Sequence, residues 1–387
     1  MTPLAVALLA GALTLALSLS LPIAVKPWLV RLGIMDVPNE RSSHERPVLR
    51  GLGLAVLIAM LVGGVFAVVL FAVPGWGGHA VWDALLVVVI GSLLAGMLGL
   101  AEDLRGISVP VRSAALLLIA AGSAVGVLFA AGQFGGAGLG HGPGLAGGDV
   151  RPLVGPLAGV DPLSSVTVST EPLPFWGAAV LVVYAVLFIS SYINVANFMD
   201  GLNGISGFHG VIAGLTFGVV GWVQDMPWLV AAGLVLAAGF AGFLPWNLTK
   251  PGAFMGDVGS YLLGGATALT SFAALVSGAP LLATIGPMVI YFGDVGVTLV
   301  KRVRAGKRWD EPHKEHTYQR IQQRGYTHVQ ASGLTAACTL AASVLGVASC
   351  CTPLWGTLVL LAGGFAVLLV YLALPRLLPD RSAAIQH

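Results

Sequence analysis

Charge is what this chain has least of. Only 9% of its 387 residues are Asp, Glu, Lys or Arg, where a soluble globular chain carries about a quarter. That scarcity excludes an ordinary water-soluble domain. A net charge of +2 supplies no basic field for nucleic acid. Cysteine is nearly absent too. Cys338, Cys350 and Cys351 lie in or beside one apolar run, which excludes a disulfide framework and a Cys-ligated zinc site. No basic stretch precedes the first apolar run, whose first positive charge is Lys26, after it. The run therefore reads as a span and not as a cleaved leader. No internal repeat is evident, which weakens an inverted-repeat carrier, and nothing marks a second domain.

What the chain has is apolar length. It is 57% hydrophobic with mean hydropathy +0.90, and runs of roughly 18–22 residues recur, each enough to cross a hydrocarbon core. The fold class expected is all-α, a polytopic integral membrane protein. Eleven spans are predicted, at about 3–25, 52–73, 82–100, 111–131, 176–194, 205–223, 227–245, 257–277, 280–300, 331–350 and 355–375. All but Arg151 of the 19 Lys and Arg then fall on one side. By the positive-inside rule that side is cytoplasmic, with the N-terminus outside and the C-terminus inside. The whole chain, 1–387, reads as one membrane-embedded unit. Segment 132–175, rich in Gly and Pro, becomes an extracytoplasmic loop, and 301–330 a cytoplasmic substrate-binding loop.

The acids near span ends that lack an obvious solvation role gather on the cytoplasmic side, while Asp83, Asp149, Asp161, Glu171 and Asp225 face outside and read as solvated. Glu102 and Asp103 close the third span in "GLAEDLRG", Asp200 sits in "NVANFMDGLNG", Asp257 opens the eighth span in "GDVGS", and Asp294 lies inside the ninth. Carboxylates converging on one membrane face suggest a cation site, and oxygen ligands without cysteine favour Mg²⁺ or Mn²⁺ over zinc. Each has a plainer reading: Asp257 as a helix cap, Glu102 and Asp103 as interface markers. Asn197, Asp200 and Asn203 are spaced i, i+3, i+6, so a continuous helix would align them on one face as a packing patch. Asp294 is the hardest to dismiss, since an acid within a span is a functional hypothesis by default. Opposite charge is supplied by the loop "KRVRAGKRWDEPHKEHTYQR", where Arg302, Arg304 and Arg320 suit a diphosphate, with His313 and His316 for phosphate or sugar. His44 and Arg50 of the first cytoplasmic loop join the same face. Acids for a metal facing bases for phosphates suit a nucleotide-diphosphate substrate.

These motifs, in this order from about Asp36 to Arg320, resemble the bacterial polyprenyl-phosphate N-acetylhexosamine-1-phosphate transferases. That family includes initiators of O-antigen and other envelope polysaccharides and the phospho-MurNAc-pentapeptide translocase. "DVPNERSSHERPVLRG" resembles its first cytoplasmic loop, and "AEDLRG" stands where it carries paired aspartates. "NFMDG" and "GDVGS" are similar to its signature and its metal-binding turn. The last loop looks like that of O-antigen and capsule initiators, and "HKEHTYQR" differs from the translocase's histidine run. Glu102 stands in place of the first paired aspartate, and Asn203 in place of the signature's second acid.

The resemblance implies transfer of a sugar 1-phosphate from a UDP-sugar to undecaprenyl phosphate, with UMP released at the cytoplasmic face of the inner membrane. It implies Mg²⁺ (or Mn²⁺) on Asp257 with Asn197 and Asp200. Glu102, Asp103, Asp200 and Asp257 would act in catalysis. His44, Arg50, Asn197, Asn203, Asp294, Arg302, Arg304, His313, His316 and Arg320 would bind substrate. Membrane lipid is the surrounding partner, and a homodimer is compatible with the sequence. The competing class is an ion-coupled transporter with Asp294 and Asp200 as its intramembrane site.

Overall fold

The computed structural model describes residues 1–33, 35–36, 48–73, 82–133, 173–249, 252–308 and 313–381. His44 and nearly all of segment 132–175 lie outside them. The first helices are α1 (Pro3–Arg31), α2 (Gly53–Ala72), α3 (Asp83–Arg105), α4 (Val109–Ala130), α5 (Phe175–Met199), α6 (Ile205–Val223) and α7 (Pro227–Leu248). Then come α8 (Gly256–Val276), the short α9 (Leu281–Ile285), α10 (Val289–Arg304), the short α11 (Thr317–Gln323), α12 (His328–Ala348) and α13 (Leu354–Leu377). Among the described residues 11 helical segments are long and apolar enough to cross a membrane. They agree with the expected spans. The protein is an all-α multi-pass membrane protein.

Two departures bear on function. Helices outrun their apolar cores at the end where the acids lie. α3 continues to Arg105 and α5 to Met199, so Glu102, Asp103 and Asn197 ride on rigid helix ends instead of loops. The ninth span is broken: α9 and α10 are joined by a 3-10 turn at Gly286–Met288, where Pro287 cannot donate to the helical ladder.

α8 is the central pillar, its 18-residue apolar stretch wholly enclosed by protein. Its composition explains why. Between hydrocarbon tails helices associate by close packing, which small residues allow, and α8 reads Gly259, Ser260, Gly264, Gly265, Ala266, Thr267, Ala268. A Cβ added at Gly264 would sit 2.6 Å from Ile193 Cα on α5. α13 is the opposite case, a rim helix whose Trp355, Val359 and Phe365 are exposed and suited to lipid.

One small piece of β structure interrupts the helical plan. β1 (Met35–Asp36) and β2 (Val48–Leu49) pair antiparallel, and Leu49 bridges Ala253 in parallel. Phe254 N–H donates to the Leu49 carbonyl at 2.9 Å, and Gly53 N–H to the Met255 carbonyl at 2.9 Å. These bonds stitch the entry to α2 onto the entry to α8. They carry Arg50 to the foot of the pillar.

Candidate active site

The site forms where the ends of α3, α5 and α8 meet. α3 and α8 touch backbone to backbone: a Cβ at Gly99 would lie 2.1 Å from the Asp257 carbonyl oxygen. This contact sets Asp103, one turn further along α3, beside the first turn of α8. Asp103 Oδ2 accepts the backbone N–H of Val258 at 2.9 Å. The first N–H groups of a helix lack intrahelical partners and favour a negative charge, so Asp103 caps α8 from a neighbouring helix. Asp257 is thereby released from the capping role its position suggests. Gly256 makes room: its φ of +74° suits glycine, and a Cβ there would approach Asp103 Oδ2 to 2.6 Å.

Arg50 joins the two acids. Its Nε lies 3.0 Å from Asp103 Oδ1 and its Nη2 2.9 Å from Asp257 Oδ2. A planar guanidinium can serve two carboxylates at fixed spacing, where an ammonium is a point charge. From α5, Asn197 donates through Nδ2 to Asp257 Oδ1 at 2.9 Å and to Ser260 Oγ at 3.0 Å. Arg50, Asp103, Asn197, Asp257 and Ser260 are thus one hydrogen-bonded cluster.

Asp200 follows as the C-cap of α5, and its Oδ1 accepts from Ser206 Oγ at 2.7 Å. Its carboxyl is pushed up to about 7, first by desolvation. The Ser206 bond lowers it, Asp257 and Asp103 raise it, and Arg50 lowers it. Asp200 therefore shares the electrostatic field of the cluster.

The expected i, i+3, i+6 face does not form, because the helix stops at Met199. Asn203 turns the other way. Its Nδ2 donates to the Asn247 carbonyl, its Oδ1 pairs with His328 Nδ1 at 2.9 Å, and its carbonyl accepts from Ser332 Oγ at 2.9 Å. Asn203 ties α6, α7 and α12 together. Glu102 also diverges from its neighbour, accepting from Ile107 N at 3.1 Å and Arg112 Nη1 at 3.3 Å, and so braces the turn into α4.

Asp294 is fully buried and its bonds are all structural in direction. It accepts Thr317 N–H at 3.0 Å, Tyr371 OH at 2.7 Å and Thr298 Oγ at 3.2 Å, and faces His316 Nδ1 at 3.3 Å. The buried acid thus clamps the start of α11 onto α10 and α13. On its other side α11 lays Tyr318 over the Asp200 turn. Tyr318 OH donates to the Phe198 carbonyl at 3.1 Å, and a Cβ at Gly201 would meet that hydroxyl at 2.4 Å.

His316 is buried and stacks on Tyr318, and His313 packs against His316. The His313 imidazole is held down to about 4 by desolvation first, then by His316 and Arg302, so it is neutral at pH 7. Arg302 is buried and occupied by Glu315 at 2.9 Å and the Arg308 carbonyl at 2.8 Å, an internal strut of the loop. Arg304 is exposed. Arg320 lines a cleft with Lys301 and Lys314. It lies two residues, about 200°, around α11 from Tyr318.

The structure therefore brings together Arg50, Asp103, Asn197, Asp200 and Asp257. It does not bring Glu102, Asn203, Asp294 or Arg302 to that cluster. Sequence reasoning missed Ser206, Tyr318 and Tyr371. Ser206 had a local signal, six residues past Asp200 at the start of the next helix; the tyrosines had none.

Among the described residues no three His, Cys, Asp or Glu side chains converge into a metal cage. Mg²⁺ does not require one: it binds through one or two carboxylates plus substrate phosphates and retains waters. The hard-oxygen set of Asp257, Asp200 and Asn197 fits that mode.

A cluster of acids and one arginine at a single end of a helical membrane bundle defines an integral membrane protein with a polar site at one membrane face. Residues 85–275 match the model of Glycosyl transferase family 4. The decaprenyl-phosphate N-acetylglucosaminephosphotransferase of Mycolicibacterium smegmatis is 29% identical over 339 residues, 79% of this chain and 73% of that protein. The probable undecaprenyl-phosphate N-acetylglucosaminyl 1-phosphate transferase of Bacillus subtilis is 25% identical, over 79% of this chain and 74% of its own. The phospho-N-acetylmuramoyl-pentapeptide-transferase of Enterococcus hirae is 34% identical over 89 residues, 28% of its length. The chain is similar to the polyprenyl-phosphate sugar-phosphate transferases that its motifs resemble. The transporter alternative finds no support in these relatives, and Asp294, its keystone, is spent on the α11 clamp.

Proposed function

We propose that this protein transfers an N-acetylhexosamine 1-phosphate from a UDP-sugar to undecaprenyl phosphate. It thereby initiates O-antigen or another envelope polysaccharide at the cytoplasmic face of the inner membrane. The observation that carries this reading is the Arg50–Asp103–Asp257–Asn197 cluster, in a chain whose relatives are named as polyprenyl-phosphate transferases. The positive-inside asymmetry puts the cluster in the cytoplasm, with the N-terminus outside and the C-terminus inside.

A lipid phosphate oxygen attacks the β-phosphorus of the donor. The new P–O bond forms as the phosphoanhydride bond breaks, and UMP leaves with the electron pair. Asp257, with Asp200 and Asn197, would hold Mg²⁺, which would supply charge neutralisation on the diphosphate. Arg50 is placed to take a phosphate oxygen in exchange for a carboxylate. Asn197 fixes the rotamer of Asp257 through its bonds to Asp257 and Ser260. A phosphate monoester is mostly dianionic at neutral pH, its second pKa being about 6. The acids are therefore needed less to remove its proton than to place it. Asp103, its oxygens already met by Arg50 and the Val258 N–H, acts as a positioning group, which favours single displacement over a covalent phospho-enzyme. His316 and His313, packed together beside Tyr318, are assigned to the sugar or diphosphate. The loop's sequence and the short stretch shared with the pentapeptide transferase favour a plain N-acetylhexosamine donor.

The test is release of UMP by the purified protein from a panel of UDP-sugars, with undecaprenyl phosphate and Mg²⁺. One UDP-N-acetylhexosamine is expected to yield UMP in step with lipid product. Absence of product with every donor, from protein that is folded, would overturn the reading.

A further inference from the structure

Among the described residues a cleft of about 230 Å³ with a polar lining lies on the far side of α11 from Tyr318. We propose that it holds the headgroup of an anionic glycerophospholipid. Three cationic side chains line it: Lys301 from α10, Lys314 from the preceding loop and Arg320 from α11. One acid shares the lining, Glu315, but its carboxylate is already met by Arg302 at 2.9 Å and Lys307 at 2.8 Å. The cleft therefore presents net positive charge.

Part of the remaining wall is apolar and belongs to membrane spans. Val297 of α10 and Leu372 of α13 close it. Lys301 lies three residues from the end of α10 and Leu372 five from the end of α13, about 5 and 8 Å at 1.5 Å per residue. That depth is the headgroup level of a bilayer. Deeper on α13, Leu369 and Phe365 are exposed on the face of Leu372, a track suited to acyl chains. A ligand with a phosphate at one end and hydrocarbon at the other satisfies both halves. A soluble anion satisfies only the first.

The floor of the cleft gives occupancy a consequence. Thr298 and Thr317 line it, and both bond to Asp294. A lipid phosphate shared by Lys301, Lys314 and Arg320 would fasten α11 to α10 from outside, as Asp294 does from inside. Tyr318 would stay seated on Gly201.

The retention of lipid can be read without turnover, so this inference stands or falls apart from the proposed reaction. The protein is purified from an equal mixture of phosphatidylglycerol and phosphatidylcholine, and its retained lipid is measured by native mass spectrometry. Each basic residue near an anionic surface favours binding about fivefold. The wild type is therefore expected to keep phosphatidylglycerol over phosphatidylcholine by about tenfold or more. The K301Q/K314Q variant is expected to lose most of that preference, keeping only the share that Arg320 supplies. Lys301→Gln alone, at an exposed position, is expected to lose about fivefold and serves if the double variant does not fold. Glycerophosphate at millimolar concentration is expected to leave the lipid in place. Equal selectivity in wild type and variants would overturn the proposal. So would displacement by glycerophosphate, which marks a soluble-anion site, or one-for-one displacement by undecaprenyl phosphate, which marks an acceptor path.

Discussion

Asp257 and Asp103 look alike in sequence, each an acid at a helix end, and their surroundings give them different work. Asp103 spends one oxygen on the α8 N-terminus, whereas Asp257 receives only side-chain partners, Arg50 and Asn197. Replacing Asp257 by Asn keeps the size and removes a hard anionic ligand. Turnover is expected to fall at least a hundredfold while the thermal midpoint moves little, because Arg50 keeps Asp103 and is partly solvated. UMP release and a melting curve on the same sample check this; full activity at saturating Mg²⁺ would contradict it. His313 offers a pH test. Its folded-state pKa of about 4 lies below the unfolded value of 6.5, so the unfolded chain binds the proton first. Stability is unaffected above about pH 6.5 and is lost as pH falls from there towards 4. The wild type is therefore expected to lose thermal stability relative to His313→Gln over that window. Parallel melting profiles would show that His313 titrates normally.

At the scale of elements, function depends on how closely α3 and α8 approach. Gly99 and Gly256 decide this, the first by backbone contact and the second by its positive φ. Gly99→Ala pushes a methyl against the Asp257 carbonyl, and overpacking of this kind costs typically 1–3 kcal/mol. The separation of Asp103 from Asp257 is expected to widen, so turnover should drop more than stability. Assays of UMP release beside thermal midpoints will test the split. A variant with wild-type turnover would mean that the helices shift without disturbing the acids. The α11 element depends on Asp294 in the same way. His316→Ala removes a partner of that buried acid, and a hydrogen bond to a charged group contributes about 1.5–3 kcal/mol. Loss of donor use is expected together with a measurable loss of stability, seen as a raised KM for the UDP-sugar and a lowered melting temperature. An unchanged melting temperature would place His316 outside the clamp.

At the scale of the whole molecule, the asymmetry of basic residues sets an expected topology. A single cysteine placed within 313–327, in a background lacking Cys338, Cys350 and Cys351, is expected to resist membrane-impermeant thiol reagents in intact cells. It should react after lysis. Labelling in intact cells would invert the orientation and move the site to the other face.

Composition and apolar run length by themselves determined the spans and the fold class. The bilayer enforces that outcome, because every backbone polar group within it must be satisfied internally and a helix does so locally. The motif order carried the resemblance to the transferases that the comparisons also found. The acids Asp103, Asp200 and Asp257 with Asn197 were legible as candidates, because polar groups beside long apolar runs stand out against their background. Only the tertiary structure decided how candidates of equal standing divide. Arg50 reaches the acids because β2 is stitched to residues 253–255, a contact across more than two hundred residues of chain. Glu102, Asn203, Asp294 and Arg302 carry the same chemistry as the cluster, yet each is bonded away from it, to a turn, a helix junction, the α11 clamp and a loop strut. Sequence supplies donors and acceptors; which of them meet depends on helix rotation and on where each helix ends, and those are fixed by packing between segments far apart in the chain.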